Sequence, residues 1–268
     1  MELEIVNLSD VGKRRPHNED STITDASIGL VILADGMGGY NAGEVASTLA
    51  VITIYEDINN SLKPATKKSQ ADSGNNTSGS MLKKAINQAN STIYNMAQSE
   101  PMCKGMGTTI VAGLVQDDNI IIGSVGDSRL YRLRDTKFQQ ITKDHSLIQE
   151  LIDRGLYSPE EAHAKMPKNL VTRALGLDAK VEVDIIEEQI QPNDIYLLCS
   201  DGLNDMVNDE EIHLTLSKYS ANLVQAAENL IHKANANGGK DNISVVLVRK
   251  NGLKTKSGKT GFFKKIQK

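Results

Sequence analysis

Cysteine is nearly missing from the 268 residues, with only Cys103 and Cys199 present. Two are too few for a disulfide framework, and Cys199 lies in the apolar run "IYLLC", where a small buried hydrophobe is the expected role. A reducing compartment suits that usage. A surplus of positive charge is absent as well: 30 Lys and Arg against 34 Asp and Glu leave a net charge of −4, which argues against a nucleic-acid binder. No segment approaches the length of a membrane span, and "MELEIVNLSD" lacks a basic start followed by an apolar stretch, so a cytoplasmic location is expected. Internal repeats are lacking too.

What is there is a set of aspartates at the ends of apolar runs. "LVILADGMGG" (30–39) delivers Asp35 into a glycine-rich loop; "IYLLCSDG" (195–202) does the same with Asp201. "IIIGSVGDS" (120–128) carries Asp127 more loosely, and "GGKDNISVVLV" (238–248) mirrors the pattern with Asp241. A single Asp-Gly is an ordinary turn dipeptide, but four such endings make turns alone the weaker explanation. Packed sheets bring strand ends distant in sequence to one edge, which would gather the four carboxylates. Like charges that close disfavour ionisation, so the cluster needs compensating cations. An oxygen-only donor set without a His/Cys group selects hard ions such as Mg²⁺ or Mn²⁺ over zinc.

The rest of the chain reads as mixed strands and helices. A strand is expected over 4–8, then a charged loop "SDVGKRRPHNEDS", then the run 28–34. Apolar positions Ala42, Val45, Ala46, Leu49, Ile52 and Ile58 outline one long helix, and Leu82, Ala85, Ile86, Ala89, Ile93 and Ala97 a second. Between them, 59–80 is polar and low in complexity, so a mobile surface insertion is expected. Residues 108–142 have the pattern of an antiparallel meander, followed by helices at "HSLIQELIDRG" and at "SPEEAHAK", the latter with Ser158 and Glu161 in capping-box positions. Strands are expected over 181–187, 195–200 and 243–249, and helices over 209–219 and 221–235. Without regular βαβ alternation this predicts an α+β architecture, with sheets packed together and helices outside.

The ordered segments "SDVGKRRPHNEDS", "DGMGGYNAGEVAS", "GMGTTIV", "GDSRLYRL", "ITKDHS", "VTRALG", "LLCSDGLND" and "GGKDNISVVLV" resemble the signatures of the metal-dependent type 2C (PPM) protein serine/threonine phosphatases. The resemblance extends from about Ser9 to Val248. It implies an αββα four-layer sandwich of two antiparallel sheets, as a single domain over 1–250 followed by a basic tail at 251–268. It also implies two Mn²⁺ or Mg²⁺ ions, with a third in some bacterial members.

By the same resemblance, Asp35 looks like the carboxylate that bridges two ions and Gly36 like the donor of a backbone carbonyl to the second. Asp201 and Asp241 resemble the other ligands of the first ion. Glu19 and Asp20 resemble the acidic pair that orients the second ion and its waters, and Asp127, with Asp201, a weaker third site. Arg15 stands where the family binds phosphate, as a planar guanidinium suits two phosphate oxygens. The implied chemistry is attack on phosphorus by a water that the ions acidify. Met37 stands where some animal members have a histidine, which leaves leaving-group protonation to a water or to Asp20.

His145 in "KDHS" is expected to be structural, since adjacent Asp, His and Ser cannot face one another as a relay requires. The segment 146–167 falls where the family has its variable flap. The implied partners are phosphorylated Ser/Thr proteins and a Ser/Thr protein kinase that the enzyme opposes, and a monomer is expected. A haloacid-dehalogenase-like phosphatase is excluded because no Asp-x-Asp occurs anywhere. "GLKTKSGKT" lacks both the spacing and the strand-to-helix context of a nucleotide-binding loop. The remaining alternative is an inactive member of the fold that acts as a regulatory or binding module. The tail, with Phe262 and Phe263, would be a solubilising extension or a dock for an acidic partner or an anionic membrane surface.

Overall fold

Alternation along three apolar strands builds the molecule. A computed structural model describes residues 3–39, 42–63, 77–167 and 170–250. In strand β3 (Leu30–Met37), Leu30, Ile32 and Ala34 face one way, and Val31 and Leu33 the other. Strand β10 (Ile195–Cys199) divides Ile195, Leu197 and Cys199 from Tyr196 and Leu198. Strand β11 (Ile243–Lys250) repeats the division. A strand that is apolar on both faces has to be covered on both.

The coverage produces four layers. One sheet runs β1 (Leu3–Asp10), β11, β10, β7 (Arg129–Arg134), β8 (Lys137–Gln140). The other runs β2 (Asp20–Asp25), β3, β5 (Ile110–Gln116), β6 (Asn119–Val125), β9 (Asp184–Gln189), with β4 (Gly107–Thr108) added beside β3. All of their pairings are antiparallel. Val31, Leu33, Val111, Ile120, Ile122, Tyr196, Leu198 and Val246 fill the space between the sheets. Helices α1 (Ala42–Leu62) and α2 (Ser78–Ser99) cover the outer face of the second sheet. Helices α5 (Asp201–Asn204), α6 (Asp209–Lys218) and α7 (Leu223–Ala236) cover that of the first. Two further helices, α3 (Leu147–Asp153) and α4 (Pro159–Lys165), lie between β8 and β9. The expected capping box of α4 is present: Glu161 N–H donates to Ser158 Oγ (3.2 Å) and Ser158 N–H to Glu161 Oε2 (3.1 Å).

Several expectations are corrected. The stretch 108–142 is not one meander: β5 and β6 belong to one sheet and β7 and β8 to the other, and the chain changes sheet at Gly126–Ser128. The charged loop is shorter than expected, because β2 pairs residue for residue with β3 from Asp20 to Asp25. Helix α1 buries Ala46, Ala50, Val51, Ile54 and Ile58, whereas Ile52 stays 42% exposed. Its sequence is apolar nearly all round, so packing decides which face goes in. The expected insertion at 59–80 begins and ends inside helices, and its residues 64–76 lie outside the described residues, as does the tail. Strand β9 starts at Asp184 rather than Val181.

Candidate metal centre

Asp35 sits where β3 changes partners. Pairing with β5 ends at Leu33–Val111 and pairing with β4 starts at Gly36–Thr108. Thr109 N–H and Thr108 Oγ1–H both donate to the Asp35 carbonyl (2.9 and 2.8 Å), and Asp35 N–H donates to Thr109 Oγ1 (3.2 Å). These bonds pin the backbone and use neither oxygen of the carboxylate. Asp35 lies two residues beyond Leu33, so it shares the face between the sheets. Its direct neighbour on β2 is Asp20, and like charges directly opposite on paired strands repel.

The first sheet supplies the other carboxylates. Ser200, after β10, donates from Oγ to Asp20 Oδ2 (2.8 Å) and accepts from Ser244 N–H (3.0 Å), which locks the two sheets together at this edge. Asp201 follows as the first residue of α5, and Asp241 precedes β11. Gly202 packs so tightly that a Cβ there would lie 1.9 Å from the Asn242 carbonyl oxygen. The glycine after Asp201 therefore admits the close approach of a protein backbone carbonyl. Gly36 is held in the same manner under the first turn of α1, with its N–H on the Glu19 carbonyl (3.1 Å).

Asn242, which sequence reasoning left without a role, organises the loop 11–19. Its Nδ2 donates to the carbonyls of Val11 (2.9 Å) and His17 (3.0 Å), and its Oδ1 accepts from Glu19 N–H (2.8 Å). That loop presents Arg15, whose Nη2 donates to Asp241 Oδ2 at 2.6 Å. The pairing with Asp241 holds the guanidinium above its ordinary pKa. Glu19 is neighboured by His17, with Nε2 3.6 Å from Oε1. A DN pair directly before an apolar strand was the available signal for Asn242.

Asp127 lies at the sheet change, 9% exposed, and the adjacent Ser128 Oγ is 2.7 Å from Thr109 Oγ1. All eight sequence-predicted positions, Arg15, Glu19, Asp20, Asp35, Gly36, Asp127, Asp201 and Asp241, are thus brought to one edge of the sandwich. A cavity of about 380 Å³ opens beside Asp127 and Asp201 and is lined in part by Ser146, Ile148 and Gln149, at the start of the expected flap. A larger one, about 850 Å³, lies where α1 ends and α2 begins and touches none of these residues. Size is no guide here, since the concentrated charge lies at the smaller one.

The electrostatics are unfavourable for the chain alone. Burial, then the charges of Asp20, Asp201, Asp127 and Asp241, push Asp35 well above the ordinary carboxylate range. Asp201 rises likewise, through burial and then Asp127 and Asp241. Burial brings Asp20 and Asp127 to about 6. Asp20 Oδ1 and Asp201 Oδ1 are buried with no hydrogen-bond partner. Buried polar atoms are nearly always satisfied, so such orphans point to an absent ligand. The donors are all oxygens, which fits a hard divalent cation. Among the described residues no three His, Cys, Asp or Glu side chains form a ready-made cation cage. An ion that keeps several of its waters does not require a preformed cage of side chains, so the looser arrangement suits Mg²⁺ or Mn²⁺.

Comparisons with known proteins agree with this geometry. The model of the protein phosphatase 2C family matches residues 13–238. The chain is 41% identical over 246 residues to the serine/threonine phosphatase Stp of Listeria welshimeri, covering 91% of this chain and 94% of that one. It is 35% identical over 252 residues to protein phosphatase PhpP of Streptococcus pneumoniae, covering 93% and 98%. The crystal structure of the serine/threonine phosphatase PstP/Ppp of Mycobacterium tuberculosis superposes with a TM-score of 0.82 at 37% identity, over 93% of this chain and 99% of that one. The catalytic domain of PstP in complex with two manganese ions gives 0.80, at the same identity and coverage. With its four-layer sandwich and its carboxylates gathered at one edge, this chain belongs to the protein phosphatase 2C family.

Proposed function

We propose that the protein hydrolyses phosphoserine and phosphothreonine on proteins with two Mn²⁺ or Mg²⁺ ions, and a third held more weakly. The observation that carries this is the set of converging carboxylates with orphaned oxygens, placed next to Arg15, which Asp241 holds. Asp35 would bridge the two ions. Asp201 and Asp241 would complete the first site, the Gly36 carbonyl with Glu19 and Asp20 the second, and Asp127 with Asp201 the weaker third. When bound, the ions supply Lewis-acid stabilisation of the phosphoryl oxygens and acidify a water nucleophile.

The chain's own residues supply position and charge. Asp241 holds the Arg15 guanidinium at the exposed rim, where two parallel N–H groups can meet two phosphate oxygens. Ser200 fixes Asp20 by its Oδ2, so that Oδ1 keeps one direction. Asn242 holds the whole Arg15 loop at a set distance from Asp241.

The relatives named above as serine/threonine phosphatases support a phosphoprotein substrate, and a Ser/Thr protein kinase is the natural counterpart. We take residues 1–250 as one catalytic domain, monomeric and cytoplasmic. Among the described residues no helix is long and apolar enough to cross a membrane. The carboxylate set is complete, which favours turnover over an inactive regulatory module.

Phosphate release from phosphothreonine and phosphotyrosine peptides, with Mn²⁺ and then with excess EDTA, tests this reading. Manganese-dependent release that favours phosphothreonine is expected. Binding of Mn²⁺ without release would establish the regulatory module instead.

A further inference from the structure

Gly126 precedes Asp127 and has φ of +107°, a conformation in which an L side chain is strained. A Cβ there would also lie 2.6 Å from that of Thr109. The Asp127 turn therefore requires a glycine, and its backbone has little room to move there. His145, 7% exposed, grips Gly126 from both sides. Gly126 N–H donates to His145 Nδ1 (3.0 Å), and His145 N–H donates to the Gly126 carbonyl (2.9 Å).

The ring bond fixes the tautomer. Nδ1 accepts, so the ring proton is on Nε2, which donates to Asp184 Oδ2 (3.2 Å). Arg173 Nη1 lies 3.1 Å from the same Nε2 and 2.9 Å from Asp184 Oδ1. Two N–H donors cannot bond each other, so the guanidinium bonds the carboxylate. Asp184 thus orients the ring from its far side, and Arg173 orients Asp184. The flap segment leaves and returns at the same place, since Thr172 N–H donates to the His145 carbonyl (2.8 Å) and Leu147 N–H to that of Leu170 (2.9 Å).

We infer that His145 is a positioning residue whose ring clamps Gly126 and so fixes the carboxylate of Asp127 for the weaker cation. The inference rests on the proposed role of Asp127 as a ligand of that ion. His145 is thereby more than a core residue, since it links the root of the flap to the metal edge. Residues that orient a ligand commonly cost 10- to 100-fold in metal affinity when removed.

Calorimetric titration of Mn²⁺ into the full chain separates the weaker binding component from the tighter one. Asp127→Asn and His145→Ala are both expected to weaken the weaker component about tenfold or more, with the tighter one unchanged. His145→Asn is expected to keep it close to wild type, because its Oδ1 takes the place of Nδ1 as acceptor for Gly126. Unchanged weak binding in His145→Ala, with loss in Asp127→Asn, would overturn the positioning role alone. Unchanged weak binding in Asp127→Asn, or a wild type without a weaker component, would overturn the ligand role of Asp127 and the inference with it. Should His145→Ala not fold, Asp184→Ala removes the outer anchor at a half-exposed position. Weakening of severalfold there supports the clamp, and none overturns it.

Discussion

One strand is flanked by two acids in opposite circumstances. Asp194 stands just before β10 and Asp201 just after it. Asp194, 1% exposed, receives Arg134 Nε on Oδ1 (2.9 Å), Arg134 Nη2 on Oδ2 (2.7 Å) and Gln191 N–H on Oδ2 (2.8 Å). Asp201 has a buried Oδ1 with no partner and more aspartates for neighbours. The same residue type at the two ends of one strand is satisfied at one end by the chain and left unsatisfied at the other. A buried charge costs several kcal/mol unless it is compensated, so the first end stabilises the fold, and the second is suited to a ligand that the chain does not supply.

The contrast can be broken from either end. Asp201→Asn should reduce peptide dephosphorylation on the order of a thousandfold, since metal stabilisation is worth several kcal/mol in the transition state. The metal-free variant should melt no lower than wild type, because a repelled carboxylate has been removed. Wild-type turnover would contradict this. Asp194→Ala should do the reverse: a loss of roughly 3 kcal/mol of stability with unchanged kcat. Water still reaches Arg134, which keeps the loss at the lower end for a broken buried pair. Chemical denaturation and steady-state kinetics on both variants decide it.

A smaller effect concerns pH in the metal-free protein. Asp20 and Asp127 are raised in the folded state, to about 6 from 3.8, and Asp35 and Asp201 are raised as well. A carboxylate raised on folding favours the fold while protonated, fully below about 3.8. That contribution is lost as pH climbs through the folded value. Each such group costs up to about 1.4 kcal/mol per pH unit across its window. His145, lowered chiefly by burial, opposes this below its ordinary 6.5, and it is present with and without metal. The gap in Tm between Mn²⁺-loaded and EDTA-treated protein should therefore widen from pH 5 to pH 7, and a constant gap would contradict the account. Smaller still, Arg15→Lys should lower kcat/KM about tenfold by replacing a two-pronged contact with a point charge.

The cluster was legible in the sequence because each aspartate closes or opens an apolar run that a strand must occupy. Its supports were not. Asn242 and Ser200 act through hydrogen bonds to loops and strands distant in sequence, which no local pattern encodes. Strand β2 was missed because "DSTITD" carries its β-branched residues between acids and becomes a strand by pairing with β3. The sheet change at Gly126 was invisible for a related reason: β6 and β7 are joined by a short "GDS" turn as hairpin strands would be, and the helices and strands they meet decide which sheet each joins. Helix α1 shows the same limit, since Ile52 and Ile54 are chemically alike and only packing distinguishes them. Asp194 carries no motif, and its pairing with Arg134 joins residues 60 apart.

Mn²⁺ titration of the EDTA-treated wild type near pH 6, in two buffers of different ionisation enthalpy, measures binding and proton release together. Raised carboxylates must lose their protons to hold a cation. The account predicts saturable Mn²⁺ binding with protons expelled, and phosphothreonine hydrolysis that rises in step with occupancy. Hydrolysis that persists without bound metal, or Mn²⁺ binding with no proton release, would contradict it.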